Sequence, residues 1–471
     1  MKKKEKKLIK QDPSKTFLEM PVINPRAAGI DVGSRSFFVC VGQGPGDVRE
    51  FGIFTCDLHD IAKYLKGLDY TTVAMESTGF YWKQLFVLLH DYGLEVILVN
   101  VRHIKNVKGR KTDVVDSRWI QLLHSLGLLS ASFQPDIMTE ELRTYTRQRQ
   151  YLLEQSAREV LRINKNLTLM NLQLKPILRD LVGLTGRKII EAIIAGIRDP
   201  FQLAELIHPN CHHSKDDFIK ALEGNYRDEY IFELNQCYDS YQHIQKQINQ
   251  CDSKISSLLE HFVSLKEINR NKQYSKEIHG QTKYKAPKKI KYKNCPPTNL
   301  AKNVFELSDG IELLNIPGVN TGTILCLVSE IGLDLSMFKT AKHFCSWLGL
   351  APNNKITGGK ILSSHTEKKK NRMALAFRDA ANAVERIIGN NPLKSFLQRI
   401  AVKKGRSVAI TATARKIATI VWVMLTRKVQ YNYKVVAHDQ NTLRNKKIKT
   451  LQRIIQEFKV QSNEITFHLS V

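Results

Sequence analysis

Short apolar runs near the start of the chain follow the two-residue period of β-strands, and the stretches between them follow the period of helices. AGIDVGSRSFFVCV holds two β-rich runs around a Gly-Ser turn, and DVREFGIF holds a third. TTVAMES and LEVILVN are two further buried strands, each preceded by a helical stretch. The strands are therefore predicted within 28–41, 47–54, 71–77 and 94–100, and the helices over 57–66 and 79–92.

The order of these elements predicts the fold class of residues 26–136. The first three strands form an antiparallel meander, and the later strands alternate with helices as in a βαβ unit. This order fits an α/β RNase-H-like domain without being unique to that fold.

Residues 137–265 are predicted to be helical, because apolar residues recur at helical spacing while Arg, Lys and Gln occupy the outer faces. A second long stretch, 229–262, is expected to pack back against the first as an antiparallel pair. This helical or coiled-coil insertion is either a plain hairpin or an arm for dimerisation or nucleic-acid binding, and the pattern favours neither.

Residues 266–300 form a basic linker, because ten Lys or Arg, two Glu and three Tyr stand between Lys266 and Lys293. Such a segment cannot bury a core. It either binds phosphate backbone, with its tyrosines stacked on bases, or is only a soluble connection. The N-terminal arm (1–25) is also basic, and the tail (431–471) is basic and partly helical.

Residues 301–430 are predicted to form a mainly helical domain that ends in a long helix over 407–427. Near its start, a helix, the turn IPGVN and a second helix from about Thr321 are similar to a helix-hairpin-helix. In that motif, backbone amides at the turn and the helix N-terminus point at a DNA phosphate.

The charge of the chain restricts its class of partner. Lys and Arg number 72 against 45 Asp and Glu, which gives a net charge of +27. Such an excess indicates a polyanionic partner. A membrane is not expected, since no apolar run approaches the ~20 residues of a spanning helix. The basic N-terminus lacks the apolar stretch of a signal peptide, and the eight cysteines lack CxxC spacing, so a cytoplasmic, bacterial-type, nucleoid-associated protein is expected.

Four carboxylates are candidates for a metal site. Asp31 ends the first predicted strand and Glu76 ends the fourth, and these strands are neighbours in an RNase-H-like sheet. Asp113 and Asp116 are three residues apart, which places both on one face of a helix. A cation such as Mg²⁺ (or Mn²⁺) would relieve their repulsion, and paired metals would activate an attacking oxygen. Basic residues just upstream would hold phosphate backbone there: Lys105, Lys108, Arg110 and Lys111.

These carboxylates also have ordinary structural interpretations without a metal. Asp31 suits a turn at the end of a strand, and Asp113 and Asp116 suit a solvated helix start. GIDVGS is in addition similar to the first phosphate loop of sugar kinases and actin-like ATPases. Those proteins need a second acidic-Gly loop and a Gly-rich adenosine loop, and neither is convincing here.

Together these segments resemble the DEDD-type insertion-sequence transposases, which include the Piv-like DNA invertases and the bridge-RNA-guided recombinases. The resemblance runs from about residue 26 to 430 and rests on these motifs: AGIDVGS, AMESTGFYW, KTDVVDS, IPGVN, SEIG, FCSWLGLAPNNKITGGK and NRMALAFRDAA. It implies a RuvC-like metal site of Asp31, Glu76, Asp113 and Asp116, and a C-terminal transposase domain.

The chain departs from the family pattern at the residue implied to attack DNA. The family carries a Ser-Gly pair after the LGLxP segment, and Thr357 stands at that serine's position. Either Thr357 is the nucleophile, since its hydroxyl has the same chemistry, or Ser363 or Ser364 replaces it, or this copy binds without cutting. Three cations are candidate phosphate clamps on a basic helical face: Lys360, Arg372 and Arg378.

The resemblance further implies donor and target DNA, a structured guide RNA whose base pairing reads sequence, and a homo-oligomer that assembles both sites between protomers. Two other functions stay open: a RuvC-like metal-dependent nuclease or junction resolvase without a covalent intermediate, and a non-catalytic nucleic-acid-binding relic.

Overall fold

A computed structural model describes eight stretches of the chain: residues 20–77, 79–99, 113–273, 294–296, 299–367, 370–389, 391–432 and 448–458. Most of the basic arm, linker and tail, and the basic residues between 105 and 111, lie outside them. The chain divides into two compact units, Met1–Gln134 and Pro135–Val471. The division falls close to the predicted boundary after residue 136.

The first unit is a mixed sheet with helices on both faces. Its elements in chain order are β1 (Ala27–Val32), β2 (Phe37–Cys40), β3 (Val48–Phe51), α1 (Thr55–Gly67), β4 (Thr72–Glu76), α2 (Trp82–Asp91), β5 (Glu95–Val99) and α3 (Asp113–Ser125). The strand order is β3-β2-β1-β4-β5. β1, β2 and β3 pair antiparallel, whereas β4 pairs parallel with both β1 and β5. All five predicted strands are confirmed, and the arrangement is compatible with an RNase-H-like domain.

Side-chain alternation along β1 and β4 separates the two faces of this sheet. Ile30 and Met75, which are register partners, are buried in the larger core beneath α1 and α2. Ala74 and Val99 are buried on the other face against Ile120 of α3. The predicted helix over 79–92 begins only at Trp82, because Gly79 has a positive φ of 56° that a helix does not accommodate.

Two long antiparallel helices begin the second unit: α4 (Ile137–Leu169) and α9 (Asp228–Gln273). Asp136 caps α4 by accepting a hydrogen bond from the Thr139 amide at 2.7 Å. The helices run antiparallel, because Arg149 contacts Asp252 near one end and Asn166 lies beside Cys237 near the other. The two helices agree with the predicted antiparallel pair, and α9 extends eleven residues past the end of the predicted second stretch at 262.

Four short helices connect this pair: α5 (Leu174–Ile177), α6 (Leu184–Ile194), α7 (Pro200–Ala204) and α8 (Lys215–Leu222). Their apolar residues form one core with the adjoining ends of α4 and α9, in which Ile163, Ile189 and Phe218 are fully buried. This core orders the end of the pair opposite Arg149.

Helices dominate the rest of the unit. The elements are α10 (Leu300–Leu307), α11 (Thr321–Glu330), α12 (Ala341–Trp347), β6 (Lys355–Thr357), β7 (Lys360–Ser363), α13 (Arg372–Arg386), α14 (Pro392–Lys404) and α15 (Arg406–Arg427). α15 packs against α12, α13 and α14. By length and composition it is the one described helix able to cross a membrane, yet half of that stretch is buried within this unit. Residues 448–457 form a separate helix.

The turn IPGVN packs closely against α13. Gly318 has a φ of 85°, and a Cβ there would lie 2.2 Å from the Ala380 carbonyl oxygen. α11 begins after the turn at Thr321, as predicted. The helix predicted before the turn is a 3₁₀ helix of only three residues, Leu313–Asn315. α10 ends earlier because Asp309 and Gly310 adopt positive φ angles.

Candidate active site

Two of the predicted acidic residues lie on neighbouring parallel strands, at the same edge of the sheet. Asp31 is the next-to-last residue of β1, and Glu76 is the last residue of β4. The register pairs Gly29 with Ala74 and Ile30 with Met75. Alternation therefore puts Asp31 and Glu76 on the face of Gly29 and Ala74, which is the face covered by α3.

α3 approaches this face without intervening side chains at Gly29. A Cβ on Gly29 would lie 2.3 Å from the Gln121 amide nitrogen and 2.7 Å from the Ser117 carbonyl oxygen. Glycine at position 29 is therefore what allows the helix backbone to rest on β1.

Contacts farther along α3 fix its direction. The Gln121 side chain donates to the Ala27 carbonyl at 3.1 Å, and His124 Nε2 lies 2.9 Å from Thr72 Oγ1. Ala27 and Thr72 open β1 and β4, so the first turn of α3 lies toward the end that carries Asp31 and Glu76. Four residues of a helix and two residues of a strand each span about 6–7 Å. Passing from Gly29 to Asp31 along β1 therefore corresponds to passing from Gln121 back to Ser117 along α3.

The last two predicted acidic residues begin α3. Asp113 is its first residue, and half-buried Asp116 lies four positions before buried Ile120. The side chain of Asp113 is outside the described part of the chain. Among the side chains that are described, no three His, Cys, Asp or Glu groups are gathered as a metal-binding set. The complete set of four carboxylates thus stays a prediction, and its oxygen-only chemistry suits a hard divalent cation.

His124 is buried where α3 packs against the sheet, and this burial makes the stability of the first unit sensitive to acid. Desolvation lowers the pKa of His124 to about 4. The pKa of His124 is lower in the folded chain than in the unfolded chain. Its contribution to stability is therefore fully present above about pH 6.5 and is lost as the pH falls toward 4. We expect unfolding of the wild-type chain to become easier by about 2 kcal/mol between pH 7 and pH 5 through this group. His124→Gln should remove most of that slope in urea titrations of the first unit's transition, and an unchanged slope would contradict the assignment.

Thr357 and Lys360 lie at the tip of a two-stranded hairpin in the second unit. They are register partners in β6 and β7, and both are exposed. Gly358 and Gly359 join them with φ angles of 53° and 74°. Two positive φ angles give a type I′ turn, the connection that matches the twist of a tight hairpin. The hairpin therefore presents the Thr357 hydroxyl to solvent at its end.

The alternative hydroxyls lie at the base of the same hairpin. Ser363 Oγ accepts a hydrogen bond from the His365 amide at 3.4 Å, and Ser364 is exposed. The base is closed by the Asn353 amide, which donates to the His365 carbonyl at 3.0 Å. The hairpin thus separates Thr357 from the two serines by most of its length.

The two predicted clamps on α13 have different surroundings. Arg378 is half-buried, whereas the Nε of exposed Arg372 lies 3.9 Å from an oxygen of Glu330. Glu330 receives two hydrogen bonds from Arg147, at 2.9 and 2.7 Å. Arg143 donates to the Glu330 carbonyl at 2.6 Å. These partners are not evident from sequence, because Arg143 and Arg147 lie on α4, far from Glu330 along the chain.

Comparison with known proteins matches both units to transposases. Residues 28–172 match the family of DEDD transposases of the IS110 type, and residues 312–398 match the transposase family IS116/IS110/IS902. A probable family 20 transposase of Pseudomonas aeruginosa is 28% identical over 122 residues, which are 25% of this chain and 36% of that protein. A transposase for insertion sequence element IS1111A of Coxiella burnetii is 28% identical over 120 residues, 25% of this chain and 33% of that protein. The aligned part thus spans about a third of each curated relative.

Proposed function

We propose that this chain is a DEDD transposase of the IS110 type and, from that premise, that it moves an insertion sequence by cutting and rejoining DNA. The observation that carries the proposal is the convergence of Asp31, Glu76 and the start of α3 at one edge of the sheet. A polyanionic substrate agrees with the net charge of +27. A cytoplasmic location follows from the same premise.

Asp31, Glu76, Asp113 and Asp116 would hold the divalent cation, which we propose to be Mg²⁺. When bound, the cation supplies positive charge that activates an attacking oxygen and stabilises a leaving one. The protein would fix the carboxylates in place through the register of β1 with β4 and through the close packing of the α3 backbone against Gly29.

Thr357 is the proposed nucleophile. Its Oγ attacks a DNA phosphorus and forms a threonyl phosphodiester, while one deoxyribose oxygen leaves as a hydroxyl and takes up a proton. The exposed hairpin tip leaves room for a phosphate on either side, and Lys360 stands directly opposite Thr357 in the register. Attack by the freed hydroxyl of another strand would reverse the step and rejoin DNA.

A structured RNA encoded by the element is the proposed guide, and a homo-oligomer is the proposed active form. Base pairing would then read sequence while the basic protein reads backbone and shape. Adding the RNA should increase cutting at the matching DNA and leave cutting of a mismatched target unchanged.

A covalent-trapping assay tests the proposal. The purified chain, Mg²⁺, the RNA and labelled element-junction DNA are incubated and resolved on a denaturing gel. We expect a protein–DNA adduct that disappears in Thr357→Ala and persists in the matched variants Ser363→Ala and Ser364→Ala. Asp116→Asn and removal of Mg²⁺ by EDTA should each reduce the adduct by more than about 100-fold.

Three other results identify the alternatives. Loss of the adduct in Ser364→Ala or Ser363→Ala would move the nucleophile to that serine. Mg²⁺-dependent cuts without any adduct would establish a hydrolytic nuclease and contradict the covalent step. DNA retention without cuts, under every metal and RNA condition, would indicate a protein that only binds.

A further inference from the structure

The β6–β7 hairpin projects from the second unit. All residues in 352–360 are exposed, and a Cβ on either tip glycine would meet no atom of the described residues within 4 Å. A bridge between Pro352 and Thr366 closes the base of the hairpin. Thr357 is five positions beyond Pro352, so an extended chain carries the tip about 17 Å from that base.

The hairpin exposes apolar side chains on both of its strands. Ile356 on β6 is 59% exposed, and Leu362 on β7 is 70% exposed. A two-stranded hairpin is only marginally stable by itself in water, and these side chains add apolar surface that stays in contact with water. A partner that covers them would therefore stabilise the hairpin together with the complex.

The two faces of the hairpin differ in chemistry. Thr357 and Lys360 are register partners and share one face. Lys355 lies on the same face, because it is two residues before Thr357 on the strand. Ile356 stands between these two residues and so lies on the opposite face. One face thus carries a hydroxyl with two cations, and the other carries an exposed apolar side chain.

Charge indicates which partner covers this hairpin. The chain has no Asp or Glu from Asn353 to Thr366, whereas Lys355 and Lys360 are both exposed. A phosphate backbone would satisfy the two cations, and the bases of the same polymer would cover the apolar side chains. A nucleic acid strand therefore fits both faces of the hairpin.

The dimensions of the hairpin fit a DNA duplex. Its two strands are about 4.8 Å apart, and the major groove of DNA, about 12 Å wide, admits a two-stranded ribbon. That groove is about 8.5 Å deep, whereas the hairpin extends about 17 Å from its base. The tip can therefore pass the floor of the groove and enter the base stack.

We propose that the β6–β7 hairpin is a pin that separates the two DNA strands at the step that Thr357 attacks. Thr357 and the two lysines face the strand to be cut. Ile356 enters the stack as an apolar wedge against the other strand. The inference rests on the proposed function and adds a step before the attack: the opened bases become free to pair with the guide RNA.

Fluorescence measures the opening of the DNA. The full chain and the guide RNA are mixed with junction DNA that carries 2-aminopurine beside the attacked phosphate, whose fluorescence rises when the base leaves the stack. Thr357→Ala is the background for this measurement, because it lacks the attacking hydroxyl and so binds DNA without cutting it. We expect fluorescence to rise on binding and to lose more than half of that rise when Ile356→Ser is added.

Paired and mismatched DNA test whether strand separation is what Ile356 contributes to the reaction. With the Thr357 hydroxyl present, Ile356→Ser should lower the rate of adduct formation about tenfold or more on fully paired DNA, because burial of a large apolar side chain is lost. Mismatched pairs at the attacked step cost less to unstack. On such DNA the same variant should form the adduct within twofold of the wild-type rate. Leu362→Ser should show the same pattern with a smaller loss.

Ile388→Ser is the matched control. Ile388 is 98% exposed and lies outside the hairpin, so the substitution makes the same chemical change on another part of the surface. It should alter neither the fluorescence nor the rate by more than twofold. Thr357→Ala should give no adduct on either DNA, because an opened step does not replace the missing hydroxyl.

Four results would overturn the pin. Equal losses on paired and mismatched DNA would show that Ile356 does not act by separating strands, and a wild-type rate for Ile356→Ser on paired DNA would show that it does not act at all. A change in the mass of the DNA-free protein in Ile356→Ser would make this face an interface between copies of the chain. Weaker retention of the RNA alone in that variant would make it a contact to the guide.

The same experiments separate this inference from the proposed function. If the wild-type chain forms the adduct and Ile356→Ser matches it, only the pin fails. If opening depends on Ile356 but no adduct forms, the covalent step fails and the pin stands. If the chain does not retain junction DNA, both fail together.

Discussion

Replacing Gly29 with alanine is expected to impair both stability and DNA cutting. The new Cβ would stand 2.3 Å from a backbone nitrogen of α3 and 2.7 Å from a backbone oxygen, so neither neighbour can rotate away. The helix must move by about 1 Å, at a cost of about 3 kcal/mol in the free energy of unfolding. A displacement of that size in a catalytic group typically lowers the rate about 100-fold. Urea unfolding and the rate of adduct formation measure the two effects.

Gly67→Ala is the matched control for this substitution. Gly67 ends α1 in the same unit, has no positive φ, and no heavy atom lies within 4 Å of the position of an added Cβ. Alanine there should leave cutting unchanged and stabilise the unit by up to about 1 kcal/mol. A Gly29→Ala protein that cuts DNA at the wild-type rate would show that α3 does not carry part of the active site.

Glu330→Ala is expected to destabilise the second unit by about 2–3 kcal/mol, because a buried carboxylate is lost from beneath three arginines. Burial lowers the pKa of Arg143, whereas hydrogen bonds to Glu330 raise the pKa of Arg147. Without the carboxylate, half-buried Arg143 keeps its backbone contacts but loses its largest counter-charge, while half-exposed Arg147 can turn to solvent. Glu330→Gln keeps the hydrogen-bonding shape and should cost about half as much.

Thermal unfolding of the second unit measures this effect, with Glu205→Ala as the comparison. Glu205 pairs with Lys215 where both side chains are at least half-exposed, so its loss should cost less than about 0.5 kcal/mol. Equal destabilisation by Glu205→Ala and Glu330→Ala would show that the Arg143–Arg147–Glu330 contacts do not hold α4 to α11.

The sequence predicts best where structure is set by local pattern. The five strands of the first unit follow from two-residue alternation, and the parity of Asp31 and Glu76 on their strands follows from the same rule. The sequence pattern also predicts where α4 and α11 begin, and the structure adds the side chains of Asp136 and Asn320, which cap their first turns. Each of these signals lies within a few residues of the feature that it predicts.

What the sequence did not predict depends on distant partners. Arg147 and Glu330 are 183 positions apart, and nothing near either residue identifies the other. In the sequence, Gly29 is an ordinary glycine near the end of a strand. Its importance depends on α3, which packs against it from far along the chain. The helix expected before IPGVN, from similarity to a helix-hairpin-helix, is absent for a different reason: Asp309 and Gly310 have left-handed backbone there, and only the three-residue 3₁₀ helix Leu313–Asn315 follows.

The central position of α15 in the second unit has a consequence for synthesis of the chain. α12, α13 and α14 all emerge from the ribosome before α15, and each of them packs against it. Until residues 406–427 have been made, these earlier helices lack the helix that all three contact, and the apolar faces that pack against it remain open to water and to neighbouring chains. Folding of this region is therefore incomplete until α15 has emerged, and a nascent chain stalled before α15 would be prone to aggregate.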